Sequence, residues 1–283
     1  MSWHAHRVVL RLRSLMHIGQ AKIGNVQRTR PYVTGRVLWG ALTLRLTRDR
    51  FHGQGPANRF EQYNPVGREV QDYLAFTYFY PTTNRDGNVT CWSWDEGFPP
   101  RFLSTYASTA LTYPQQSADE GTLHEVEFIS PRTLDSGEQV YLVGYVFVQE
   151  GAPAWQPALR RLQLGGERGY GWGRVDLVGD PDPWDGKPLF DGRYTVDPDA
   201  WPPVLTAGEN AYLLAHALAA EFGERKPVQG VQGEIEPLVG RETDPDGRFG
   251  VQVSEARICY APGSKVVEGS RFRIGPYGVW EAV

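Results

Sequence analysis

Sulfur is scarce in this 283-residue chain, which has two cysteines and two methionines. Cys91 and Cys259 lie far apart and form no CxxC pair. That excludes a disulfide-framed scaffold and a cysteine-ligated zinc site, and leaves buried free thiols as the expectation. Long apolar runs are missing too. No stretch approaches the ~20 residues a bilayer-crossing helix needs, and the opening MSWHAHRVVLRLRSL holds no apolar block ending at a small-residue cleavage site. The expected location is the cytoplasm, with no membrane partner. Catalytic signatures are absent as well: there is no GxSxG, HExxH or SxxK, which lowers the corresponding hydrolase classes. His4 and His6 form an HxH pair with no third ligand in view, and Asp180, Asp182 and Asp185 lack the spacing of a calcium loop. No metal and no cofactor is expected, and His52, His124 and His216 receive no role.

What is present describes a globular protein: 41% hydrophobic, 12% aromatic and 22% charged residues, with a mean hydropathy of −0.43. The net charge of −4 conceals a segregation. Residues 1–50 carry ten basic side chains against one acid, Asp49, and the other 233 residues carry 19 basic against 32 acidic. A basic block with Tyr32 and Trp39 interleaved is the footprint expected where a phosphate backbone lies on one face of an otherwise acidic molecule.

Residues 7–15 alternate Val8, Leu10 and Leu12 with Arg7, Arg11 and Arg13, which predicts a strand with one buried face. Residues 16–30 show no sustained period and read as a long basic loop. The chain is extended at Pro31, Thr34 is a possible cap, and Val37, Leu38, Ala41 and Leu42 then follow at helical spacing. YLAFTYFY (73–80) predicts a second strand after a Gly-, Pro- and Asn-rich stretch. LHEVEFIS (123–130) and QVYLVGYVFV (139–148) predict two strands paired as a hairpin. A short helix over 157–164, a glycine loop and the strand RVDLVG complete a β-α-β-β-α-β order. The expected fold class is α+β: a ferredoxin-like (RRM-like) domain over residues 1–180 with long insertions. The Pro- and Asp-rich stretch 180–203 reads as a linker. Residues 181–283 then form a helix over 209–224 plus three strands, either a β-rich extension of the first sheet or a second, degenerate ferredoxin-like half, with turn chemistry at Asp244-Pro245-Asp246-Gly247.

The segment GGERGYGWGR (165–174) holds five glycines in nine residues. Glycine lets main-chain N–H groups approach a ligand, Arg168 and Arg174 offer bidentate donors to phosphate, and Tyr170 and Trp172 can stack on unpaired bases. Neither GxGxxG nor a P-loop fits here, so a mononucleotide site is not expected. The competing reading is a tight turn and bulge into the last strand. His17, after the first strand and near Lys22, Arg28 and Arg30, supplies the residue types of a metal-independent ribonuclease.

Three segments together resemble the RAMP superfamily of CRISPR-associated RNA-binding proteins. They are the first strand leading to LMHIGQAKIG, the helix start RPYVTGRVLWGALTLRL, and the glycine loop LGGERGYGWGRV, spanning residues 7–176. Thr34 stands where the family usually has proline. YLAFTYFYPT, GTLHEVEFISP and ARICYAPGSKVVEG are similar to the fifth Cas family of type III-D and type VII effector complexes. The resemblance implies a non-catalytic subunit that holds the 5′ repeat-derived tag of the guide RNA and caps a filament of backbone RAMP subunits, with target RNA a possible further partner. Contacts are then expected from Arg11, Arg13, His17, Lys22, Arg28, Arg30 and Arg36, from Gly165, Gly166 and Gly169, and from Arg168, Tyr170, Trp172 and Arg174. The alternative is a repeat-processing endoribonuclease of the same superfamily using His17.

Overall fold

Strand β1 (Trp3–Leu12) lies inside a sheet. Its predicted alternation is real: Val8, Leu10 and Leu12 are fully buried on one face. Ala5 and Val9 are buried on the other, so both faces are covered. The strand pairs antiparallel with β10 (Tyr141–Gln149) on one side and with β11 (Val175–Leu177) on the other. The outer edge of β10 takes β4 (Leu74–Phe76) and β5 (Tyr80–Thr82). The spatial order β11-β1-β10-β4 places the fourth strand of the predicted pattern beside the first, then the third, then the second. This is the antiparallel ferredoxin-like arrangement. The computed structural model describes residues 3–51, 60–113, 117–184, 186–244, 246 and 248–283.

Helix α1 (Gly35–Arg50) buries Leu38, Ala41, Leu42 and Leu46 against one face of this sheet. Thr34 stands at its N-cap, but its side chain makes no cap bond and only its carbonyl accepts from Val37 and Leu38. Helix α2 (Phe60–Tyr73), which falls in the Gly-, Pro- and Asn-rich stretch, packs beside α1, as does the five-residue α4 (Trp155–Leu159).

The opposite face is covered by the C-terminal half. Strands β13 (Tyr194–Asp197), β14 (Val204–Ala207), β22 (Arg271–Ile274), β23 (Trp280–Ala282), β15 (Ala217–Leu218), β20 (Arg257–Tyr260) and β17 (Ile235–Leu238) form one sheet in that order. Tyr194, Leu205, Phe272 and Trp280 share a core with Ala5, Val9, Val143 and Phe147. Two ribbons extend this half: β16 (Val231–Gln232) with β21 (Lys265–Val266), and β18 (Arg241–Thr243) with β19 (Phe249–Val253). Pro245 and Gly247 of the expected turn lie outside the described residues.

Three expectations are corrected. The basic loop 16–30 is a hairpin of β2 (Gly19–Ile23) and β3 (Val26–Thr29) closed by Gly24-Asn25. β9 (His124–Ile129) does not pair with β10; it lies between β3 and β6 (Leu103–Ser108) in a separate four-stranded sheet. α3 (Phe98–Phe102) leads into β6, and the short ribbon β7 (Leu111–Thr112) with β8 (Ser117–Ala118) follows it. Residues 209–224 contain no helix. Leu213, Leu214, Ala215, Ala217 and Leu218 are all fully buried, and a segment enclosed on every side satisfies its backbone through neighbouring strands, as in Leu213 N–H to the Ser264 carbonyl at 2.8 Å. Tertiary pairing overrides helix propensity there.

Candidate nucleic-acid interface

The glycine segment lies directly on the exit of β1. The N–H of Gly166 donates to the His17 carbonyl at 2.8 Å, that of Gly173 to the Leu15 carbonyl at 2.7 Å, and that of Arg13 to the Arg174 carbonyl at 2.9 Å. Ser14 Oγ accepts from the Arg174 N–H at 3.0 Å. Segments some 150 positions apart are thereby joined edge to edge. The segment is a turn as well as a presentation surface: Gly165 and Gly173 have φ of +78° and +75°, and Arg168–Tyr170 forms one 3-10 turn. The Gly166 N–H, expected to face a ligand, is spent on this scaffold. Gly169 is exposed and Gly165 half-buried.

Side chains divide by what already neutralises them. Arg168 and Arg174 are exposed and have no acidic partner among the described residues, and the same holds for Lys22 on the β2–β3 hairpin. Tyr170 is 84% exposed. Trp172 instead packs edge-on against Phe128 at 5.5 Å and Tyr106 at 6.1 Å, anchoring the turn to the β6–β9 sheet. Arg11 and Arg13 share Asp176, at 2.7 and 3.0 Å. Hydrogen bonding from Arg11, joined by the charges of both arginines, holds the Asp176 carboxyl below its usual range. Arg28 pairs with Glu127 at 3.0 Å. Arg36 lies over the Tyr277 ring, 5.2 Å from its centre, and 3.6 Å from Glu242.

Two expected contacts are turned inward. Arg30 is 6% exposed; it donates to Glu236 at 2.9 Å and contacts His216 and Tyr32. His17, also 6% exposed, has its Nδ1 2.8 Å from the Glu127 carbonyl. A carbonyl only accepts, so Nδ1 carries a proton and donates it.

Sequence reasoning missed three arginines beside the turn. Arg45 and Arg48 of α1 and Arg161 after α4 line a 560 Å³ cleft with Gln163, Arg168 and Gly169. Arg45 and Arg48 were legible only as part of the basic count, and their convergence with residue 161 exists only in the folded chain. Among the described residues no three His, Cys, Asp or Glu side chains cluster as metal ligands; His4 is exposed and His6 packs on Trp155. Asp185 and His52 lie outside the described residues. Cys259 is buried, which pushes its thiol up to about 12. No described helix is long and apolar enough to cross a membrane.

No protein-family model and no curated protein matches the sequence. Among solved structures, the chain is similar to one in the cryo-EM structure of the Type III-B Cmr-beta bound to cognate target RNA and AMPPnP, state 1. The TM-score is 0.51 at 11% identity, over 92% of this chain and 85% of that one. Chains in the Cmr-beta structures bound to cognate target RNA and in the Apo state align at TM-scores of 0.39 and 0.36, with 11% and 12% identity, over 61% and 62% of this chain and 96% of each of theirs. At this identity the first likeness establishes a shared α+β fold over nearly the whole chain.

Proposed function

We propose that this protein is a guide-RNA-binding subunit of a class 1 CRISPR effector complex, of type III-D, type VII or related kind. It holds the 5′ repeat-derived tag and caps the filament of backbone RAMP subunits, and it works in the cytoplasm without cutting RNA. Residues 1–180 carry the RNA site, and residues 181–283 form the extension that closes its sheet. The observation that carries the reading is the glycine turn laid on the exit of β1, which leaves Arg168, Tyr170 and Arg174 exposed beside Arg13. The likeness to a chain from a Type III-B Cmr-beta complex holding target RNA supports it.

An RRM-type protein reads RNA on an open sheet face, and here both faces of the β1 sheet are covered. The strand is therefore held at the β1 exit, with arginines on phosphates and Tyr170 under a base. The ribonuclease alternative needs His17 to reach a 2′-hydroxyl, and its burial against Glu127 favours a packing role.

Incubating the full chain with labelled repeat RNA in EDTA tests both. Binding is expected to weaken linearly in log salt, with a slope of about −0.7 for each phosphate engaged, and without a discrete product. Tyr170→Ala is expected to weaken binding by about one to two orders of magnitude, as one lost base stack would. Salt-independent association removes the RNA-holding reading, and a product that disappears in His17→Ala establishes the nuclease.

A further inference from the structure

The cleft beside the glycine turn holds more positive charge than its own carboxylate answers. Arg45, Arg48, Arg161 and Arg168 line it. Asp49 accepts from Arg45 and, at 2.6 and 3.0 Å, from Arg161. Partial burial alone would raise the Asp49 carboxyl, and the hydrogen bonds and charges of the two arginines outweigh it and hold it low. One anion is thus shared by two guanidiniums. Arg48 and Arg168 have no acidic partner among the described residues, so the cleft carries an excess of positive charge inside a concave, partly desolvated space.

Its walls are tied to the turn. Gln163, part of the lining, donates its Nε2 hydrogens to the carbonyls of Arg168 at 3.1 Å and Trp172 at 2.7 Å. The depression also continues. Arg161 lines an adjoining 420 Å³ cleft with Pro157, Leu177 and Pro181 and with Arg160 and Asp180, which are paired with each other. A single small anion needs no such extension, whereas a chain-like polyanion does.

We propose that this cleft, between the C-terminal half of α1 and the glycine turn, is a second phosphate-binding site. It takes the backbone of single-stranded RNA that runs on past the nucleotides held at the turn. The proposal rests on the RNA-binding reading above and extends the footprint to Arg45, Arg48 and Arg161. Guanidinium forks each engage two phosphate oxygens, and Arg168 and Gly169 belong to both places, so one strand can occupy them in succession.

The test uses the full chain and two end-labelled single-stranded RNAs, one just long enough to cover the turn and one several nucleotides longer, followed by fluorescence anisotropy over a salt series. Arg48 is exposed and unpaired, so Arg48→Glu leaves the melting curve near that of the parent. It is expected to weaken the longer RNA about tenfold and make its salt slope shallower by about 0.7, with the shorter RNA unaffected and Arg48→Lys restoring the parent values. Arg174→Ala is expected to weaken both RNAs. If Arg48→Glu leaves the longer RNA's affinity and slope unchanged while Arg174→Ala still weakens it, the cleft assignment is wrong and the RNA-holding reading stands. If the parent chain binds neither RNA, that reading fails and the cleft assignment falls with it.

Discussion

Glycines within one turn answer to different constraints. At Gly165, with φ +78°, an added Cβ would run into the His17 carbonyl and come within 2.9 Å of Ile18. At Gly169 it would meet nothing within 4 Å and φ is not left-handed. Gly165→Ala is therefore expected to lower the unfolding free energy by about 1–3 kcal/mol, the usual range for a non-glycine residue forced into a strained backbone region, and to loosen RNA binding. Gly169→Ala is expected to leave stability within about 0.5 kcal/mol. Urea denaturation of the two variants reads the difference, and equal losses would mean that the turn is not held against β1 as described. The glycine run pointed to this site because its composition is local. The burial of Arg30 was not legible: its partners His216 and Glu236 lie some 200 positions away, and a lone arginine in a basic block reads as a surface cation.

Among the elements, the contact between the two halves is polar as well as apolar. His216, fully buried, has Nε2 2.6 Å from Glu236 and Nδ1 2.8 Å from the Tyr78 hydroxyl. Nε2–H donates to the carboxylate, and Nδ1 accepts from the phenol. Burial holds the His216 pKa below its ordinary 6.5. Burial pushes Glu236 up, but hydrogen bonds from His216 and Arg30 prevail and take it down to about 2 from 4.5. Both shifts are downward, so the unfolded chain binds protons more readily. Their stabilisation is complete above about pH 6.5. The His216 part is lost as pH falls below that value, and the Glu236 part as it falls from 4.5 towards 2. The melting temperature is expected to be level from pH 8 to 7 and to decline below 6.5. His216→Gln is expected to melt lower at pH 8 with a shallower decline between 6.5 and 5; a parallel decline would show that the histidine does not titrate with unfolding. Elements built on local periodicity, β1 and α1, were readable from sequence. The β2–β3 hairpin was not, because β2 is exposed along its whole length and β3 buries only Thr29, so no alternation marks them; Gly24-Asn25 was the one available signal. β9 was assigned to its sequence neighbour although it pairs with β6 and, in parallel, with β3, choices that only the assembled sheet fixes.

Taken whole, the proposed function separates a structural from a recognition surface. The C-terminal sheet closes the face an open ferredoxin-like sheet would offer, while Arg168 and Arg174 stand exposed at the glycine turn where β1 ends and Arg48 lines the adjoining cleft. Under the proposed function, the acidic remainder of the chain is expected to keep other nucleic acid away through like charge. Crosslinking the full chain to single-stranded RNA bearing 4-thiouridine, with the attached peptides mapped by mass spectrometry, tests this arrangement most directly. The account predicts attachment at Tyr170 and within residues 13–28, on both sides of the junction between the glycine turn and β1. Attachment confined to residues 181–283, with none at either place, would contradict it.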